Sequence, residues 1–182
     1  MLSEVSRIDR IVISLLSYAK PKKPDFVKVE LGNLIQNVIS FLRNLADSKR
    51  IKLRFVGPPE VPFLNADENE IKQLFLNLIL NSIEALPEGG EVAVRLELLP
   101  DNRLRIEVSD NGPGIPPENL SRIFLPFYTT KIEGTGLGLA TCKRIATEYG
   151  GEIQVQSEVG KGTKFLIELP LAAVTPRSLS YR

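Results

Sequence analysis

The order in which hydrophobic periods succeed one another restricts this chain more than any other feature. Apolar residues at Leu31, Leu34, Ile35, Val38, Ile39, Leu42, Leu45 and Ala46 step by three and four and predict a helix. Ile51, Leu53 and Phe55 alternate like a strand, which Gly57-Pro58-Pro59 ends. Asp67 followed by Glu70 resembles a capping box with aspartate in place of serine or threonine. It opens a helix through about Leu86, and Gly89-Gly90 closes the segment. Alternating stretches at 91–98 and 103–108, joined by Pro100-Asp101-Asn102, predict a hairpin. A Gly/Pro-rich loop at 111–117, a short helical piece near 118–124 and a loop to Gly134 follow. A helix around 137–149 stops at Gly150-Gly151, and strands at 152–156 and 163–169 flank a turn at 158–162. The succession helix, strand, strand, helix, hairpin, helix, hairpin lacks the regular alternation of a parallel doubly wound sheet. It predicts an α/β fold whose mixed, largely antiparallel sheet carries its helices on one face.

The ends of the chain read differently. Leu2, Val5, Ile8, Ile11, Val12, Leu15, Leu16 and Ala19 make one helical stripe, and Pro21 and Pro24 then form a stiff linker over 21–25. A lone amphipathic helix needs a partner for its apolar face, either its own domain or a second helix of a helical dimer. Residues 171–182 show no period and predict a loose tail. No apolar run approaches the ~20 residues that cross a bilayer, and the Met1 region is not built like a signal peptide.

Composition narrows the chemistry. Among 182 residues, 23 Lys and Arg stand against 22 Asp and Glu, a balance that argues against a basic face for nucleic acid. The single cysteine, Cys142, excludes an internal disulfide and any multi-cysteine metal site. There is no histidine. Ser-His-Asp and Cys-His catalysis and the usual zinc sites are therefore excluded. What remains is carboxylates, amides, lysines and backbone dipoles, a set suited to holding a phosphate or nucleotide.

Three segments carry such groups. On the helix at 67–86, Gln73, Asn77, Asn81 and Glu84 recur at three- and four-residue steps and share one narrow stripe. A solvated face usually carries better helix formers than asparagine, and an amide oxygen is a hard ligand suited to Mg²⁺ that keeps waters and phosphates. Asp110-Asn111-Gly112-Pro113-Gly114-Ile115 follows a strand, either as an ordinary turn or as a carboxylate beside a glycine-rich approach to a flat ligand. Gly134-Thr135-Gly136-Leu137-Gly138-Leu139-Ala140 runs into a helix, as a hinge or as a cradle whose N–H groups face a phosphate. It is not the dinucleotide fingerprint, since Leu139 stands where the third glycine belongs. Before it, Phe124 and Phe127 suggest core packing, and Lys131 is within reach of an anion.

Together and in this order, these segments resemble the ATP-binding catalytic domain of sensor histidine kinases. Asn77 to Asn81 is similar to the N box, Asp110-Asn-Gly-Pro-Gly to the G1 box, Phe124 to Lys131 to the F box, and Gly134 to Leu139 to the G2 box. Gly160-Lys-Gly-Thr163 is similar to the final glycine box, so the likeness covers about residues 26–170. It implies the Bergerat two-layer α/β sandwich shared with gyrase, Hsp90 and MutL, and ATP and Mg²⁺ as ligands. By the resemblance, Asp110 accepts from the adenine amino group while Gly112, Gly114 and Ile115 approach the base, with Thr163 nearby. Asn81 ligates Mg²⁺ supported by Asn77, and Glu84 and Ala85 border that site. Gly134, Thr135, Gly136, Leu137, Gly138 and Leu139 line the phosphates with Lys131. Asn77, Asn81 and Lys131 are the catalytic candidates.

Two features modify the family picture. Hydrolysing relatives carry a glutamate at the position of Asn77, and an amide cannot take a proton, so transfer is favoured over hydrolysis. The family phosphorylates a histidine on a dimerisation helix, whereas residues 1–20 resemble only the second helix of that domain. The expected partners are then a histidine-bearing dimerisation domain and a response-regulator receiver domain. The location implied is cytoplasmic, with a membrane reached only through segments absent from this sequence. An ATPase or a nucleotide-dependent scaffold of the same superfamily is the alternative.

Overall fold

The computed structural model describes residues 24–61, 63–131 and 134–171. The expected N-terminal helix, most of its linker and the C-terminal tail lie outside the described residues. In chain order the elements are β1 (Val27–Glu30), α1 (Leu31–Ser48), β2 (Ile51–Val56), β3 (Phe63–Ala66), α2 (Glu68–Ala85), β4 (Gly90–Leu99), β5 (Arg103–Asp110), α3 (Pro117–Leu120), α4 (Gly138–Glu148), β6 (Glu152–Glu158) and β7 (Gly162–Pro170). Five strands form one sheet in the order β2-β4-β5-β7-β6. Only β2 and β4 run parallel within it, because α2 carries the chain between them; the other neighbours are antiparallel.

The two faces of this sheet differ as strand alternation demands. Val92, Val94 and Leu96, Leu104, Ile106 and Val108, and Phe165, Ile167 and Leu169 point inward and are buried. They form one core with the stripes of α1, α2 and α4, including Ile35, Val38, Leu74, Leu78, Ile79 and Ile145. The opposite face is a lattice of charges. Glu107 pairs with Arg95 at 3.5 Å and Lys164 at 3.2 Å, and Glu168 with Arg105 at 2.8 Å and Arg103 at 3.3 Å. Such partly exposed pairs contribute little singly, about 0–1 kcal/mol, but they keep that face wet. The predicted two-layer arrangement with helices on one face is the observed one.

Differences from expectation are local. β1 and β3 pair antiparallel as a separate ribbon, with Val27 opposite Ala66 and Glu30 opposite Phe63. Each is four residues long, too short to show a period. The piece near 118–124 is a single helical turn, Pro117–Leu120, followed by turns. Phe127, expected in the core, is 60% exposed with φ +65°, while Phe124 meets Phe165 edge-on at 6.4 Å.

The capping of α2 is also altered. Asp67 does cap the helix, accepting from the N–H of Asn69 at 2.9 Å and of Glu70 at 3.4 Å. Glu70 does not return to the Asp67 N–H; the Tyr149 hydroxyl accepts that proton at 2.9 Å and donates its own to Glu70. Burial would by itself raise the Asp67 pKa, but N–H donors from Asp25, Asn69 and Glu70 outweigh it and hold the carboxyl below its ordinary value. A depressed folded pKa stabilises fully above the unfolded value, and the benefit is lost as pH falls through the folded one. Asp67→Ala is expected to cost ~1–2 kcal/mol at neutral pH. Denaturant titrations should show the gap to wild type closing as pH drops below about 4.

Candidate functional site

Asp110 ends β5 in register with Thr163 of β7. Its Oδ1 accepts from the N–H of Gly112 at 3.0 Å and of Thr163 at 3.3 Å, and its Oδ2 from the Ser82 hydroxyl at 3.0 Å. A carboxylate has about four lone-pair sites, so these three donors aim the group and leave one site on Oδ2. Glycine is required around it. At Gly162, φ is +100° and a Cβ would lie 2.0 Å from the Asp110 carbonyl oxygen. At Gly114, φ is +75° and a Cβ would lie 2.2 Å from the Glu158 oxygen. The Gly160 N–H donates to the Pro113 oxygen at 2.8 Å, tying the loop after β5 to the β6–β7 turn.

Ser157 completes this end. It accepts from the Ile115 N–H at 2.8 Å and gives its one proton to the Gly162 oxygen at 2.9 Å. The Thr163 hydroxyl, 3.0 Å away, is therefore the donor to Ser157 and keeps its own lone pairs.

The polar stripe of α2 runs from this point towards α4. Gln73 donates to Asn77 Oδ1 at 2.8 Å, and Asn77 Nδ2 donates to the Gly138 carbonyl at 3.1 Å. Asn81 Oδ1 accepts from the Lys131 ammonium at 3.0 Å, and Glu84 accepts from the same ammonium at 2.5 Å. A hard amide oxygen and a carboxylate thus already share a cation. Ala85 is exposed beside them.

Across from the stripe, α4 opens with Gly138 and has no side-chain cap, so the N–H groups of its first turn lack acceptors within the helix. Leu137 is buried and anchors the loop; its N–H reaches Thr135 Oγ1 at 3.4 Å. Gly136, with φ +68°, lies so close to Phe127 that a Cβ would meet its carbonyl carbon at 2.4 Å. A Cβ on Gly138 would instead rest in ordinary van der Waals contact, 3.7 Å from Asn77 Cγ and 3.8 Å from Asn81 Nδ2. Gly134 packs on Thr129, where a Cβ would meet Oγ1 at 2.4 Å. Behind Asn77, burial pushes the Cys142 thiol up to about 12, which makes it inert.

The candidates therefore converge: Asp110, Gly112, Gly114, Ile115 and Thr163 at one end, Gly134 to Leu139 at the other, and Asn77, Asn81, Glu84 and Lys131 between. Ser82 and Ser157 are additional. Ser82 was legible as a lone hydroxyl among Ile79 and Ile83 on a core face, but Ser157 carries no local signal. Among the described residues no group of three His, Cys, Asp or Glu side chains forms a metal cluster.

A mixed sheet with one helical layer, bearing a strand-end carboxylate, an asparagine helix and a glycine-rich helix start, defines a nucleotide-binding ATPase domain of the Bergerat type. Residues 66–173 match the model of the histidine kinase-, DNA gyrase B- and HSP90-like ATPase family, and the chain belongs to that family. Within it, the chain is the catalytic ATPase domain of the sensor histidine kinase type. It is 40% identical over 172 residues to sporulation kinase C of Bacillus subtilis, covering 94% of this chain and 40% of that one. It is 38% identical over 173 residues to the sensor histidine kinase ZraS of Salmonella typhimurium, covering 95% and 37%. The chain thus spans about two fifths of the length of these relatives. Among solved structures, the catalytic domain of histidine kinase ThkA superposes with a TM-score of 0.74 at 35% identity, covering 81% of this chain and 96% of that one. Full-length ShkA in complex with AMPPNP gives 0.82 at 30%, covering 91% and 36%. ThkA in complex with the response regulator TrrA gives 0.79 at 32%, covering 94% and 49%.

Proposed function

We propose that this cleft binds Mg²⁺-ATP and delivers its γ-phosphoryl group to a histidine on a dimerisation domain, within a two-component signalling system. The observation that carries this reading is the meeting of the α2 asparagines with the start of α4 at Gly138. There the Asn81 amide, whose oxygen already holds the Lys131 ammonium, packs beside the uncapped start of a helix. The donor set fits the ligand. The remaining site on Asp110 Oδ2 suits the exocyclic amino group of adenine, and glycines let the base lie against backbone. Asn81 Oδ1, a hard neutral oxygen, suits Mg²⁺ that takes its other ligands from phosphates and water. Mg²⁺ supplies charge neutralisation between the phosphates.

The protein's own part is positioning. Asn77 holds the Gly138 turn to α2 and, being an amide, takes no proton from water, so hydrolysis is slow and an in-line acceptor is needed. Lys131, whose ammonium here rests on Asn81 and Glu84, would be released towards the phosphates if Asn81 Oδ1 held Mg²⁺. Gly136, Leu137, Gly138 and Leu139 line the phosphates with Thr135 and Gly134, and Glu84 and Ala85 border the metal. The receiver domain of a response regulator is the downstream partner, by analogy with the ThkA–TrrA complex, and the domain works in the cytoplasm. No described helix is long and apolar enough to cross a membrane.

With no histidine in its 182 residues, the chain has no imidazole of its own to label. Incubated with labelled ATP and Mg²⁺, it is expected to acquire no acid-labile phosphate. A separately supplied helical hairpin carrying an acceptor histidine should be labelled at a rate that rises with its concentration. A chain beginning near Asp25 is tested beside it, so that residues 1–20 cannot mask the docking face. Self-labelling on Ser, Thr or Tyr with the hairpin untouched would overturn the reading.

A further inference from the structure

At the end of α2 remote from Asn81, a hydrogen-bonded network joins three parts of the chain. Asp67 stands 14 residues before Asn81 in the sequence, about 20 Å along the helix at ~1.5 Å per residue. The Asp25 N–H donates to Asp67 Oδ2 at 3.0 Å, the Asp67 N–H to the Tyr149 hydroxyl at 2.9 Å, and that hydroxyl to Glu70 Oε2 at 2.9 Å. The second oxygen of Glu70 accepts from Arg144 at 3.3 Å, and Arg144 also pairs with Glu148. The Phe26 ring meets the Tyr149 ring at 5.8 Å between centroids. Tyr149 is 2% exposed, and burial pushes its hydroxyl pKa well above the ordinary value, so it stays protonated and remains a donor.

The arrangement ties both ends of an antiparallel helix pair. Asn77 to Gly138 fastens α2 to α4 at the cleft, and Glu70 to Arg144 and Tyr149 fastens them at the far end. The incoming chain is clipped to that far end by Asp25, by Phe26 and by the β1–β3 ribbon, whose last residue, Ala66, directly precedes the cap. A helix is stiff along its axis, so a displacement of its first turn is carried to Asn77 and Asn81.

We propose that the Tyr149 hydroxyl is a positioning group that locks the end of α4 to the first turn of α2, where Asp67 clips Asp25, so that the order of the β1–β3 ribbon and the occupancy of the cleft are each felt by the other. This rests on the cleft being the nucleotide site. Linkage makes the coupling reciprocal, which gives it a readout that a merely structural tyrosine would not move.

The experiment is amide hydrogen exchange on the full chain with and without Mg²⁺ and a non-hydrolysable ATP analogue. In the wild type, nucleotide should slow exchange at 138–140, and also at 27–30, remote from the ligand, by about fivefold. Tyr149→Phe keeps the ring and its contact with Phe26 but removes the hydroxyl. It is expected to lose the slowing at 27–30 while retaining it at 138–140. Asp25→Pro deletes the amide donor from the other side of the network and should give the same split, which preserves the test if the tyrosine variant does not fold. Slowing at 138–140 with no wild-type response at 27–30, or an undiminished response in both variants, would overturn the coupling. Absence of slowing at 138–140 in the wild type would instead remove the nucleotide reading and the coupling with it.

Discussion

Asp110→Asn is expected to weaken ATP and ADP by the same factor, about 10- to 100-fold, because both carry the adenine that this carboxylate is proposed to hold. The figure follows from losing one hydrogen bond to a charged acceptor, ~1.5–3 kcal/mol, at ~1.4 kcal/mol per decade. The fold should survive the change. The asparagine oxygen still accepts from the N–H groups of Gly112 and Thr163, and Ser82 can turn its hydroxyl to accept from the new NH₂ group. What changes is the polarity of the one unused site, which becomes a donor facing the adenine amino group. Guanine carries a carbonyl at the corresponding position, so the preference for ATP over GTP should narrow as ATP binding falls. Calorimetry with the three nucleotides checks this, and unchanged ATP and ADP affinities would remove Asp110 from the base site.

Asn81→Ala should act on a different part of the ligand. The affinity gained by adding Mg²⁺ over EDTA is expected to vanish, a loss of at least roughly 10–100-fold, the range that even outer-shell partners of a metal cost. Stability should hold or rise slightly, since alanine is the better helix former and Asn81 is only half-buried. A variant that folds as well as wild type, binds nucleotide equally with and without Mg²⁺, and labels no histidine would separate metal binding from folding. Mg²⁺ dependence persisting at the wild-type level would place the metal elsewhere. Lys131 gives a control, since it keeps Glu84 as a partner when the amide is lost.

Much of the architecture was legible because it rests on local periodicity. The stripes of α1 and α2, the hairpin of β4 and β5 and the stop at Gly150-Gly151 lie where the alternation of apolar residues and the turn residues put them. The asparagine stripe was legible for the same reason: residues at i and i+4 share a helix face wherever the helix sits. β1 was not legible and β3 was expected only as a second strand without bounds, because four residues in an isolated ribbon show no period and their pairing spans the whole of α1 and β2. Phe127 was misjudged because aromatic content predicts burial on average, whereas the close approach of Gly136 to its backbone turns this ring outward.

The sequence by itself determined the class of fold, the residue types available for chemistry and the exclusion of histidine from it, since these depend on composition and on spacings of a few residues. Only the tertiary structure decided which groups meet. It aimed Asp110 with donors from Ser82, Gly112 and Thr163, set Lys131 between Asn81 and Glu84, and replaced the expected return of Glu70 to the cap with the hydroxyl of Tyr149. Each of these contacts except that of Gly112 joins residues 28 or more positions apart in the chain. Their geometry follows from how sheet and helices stack around a common core, and no local spacing encodes it.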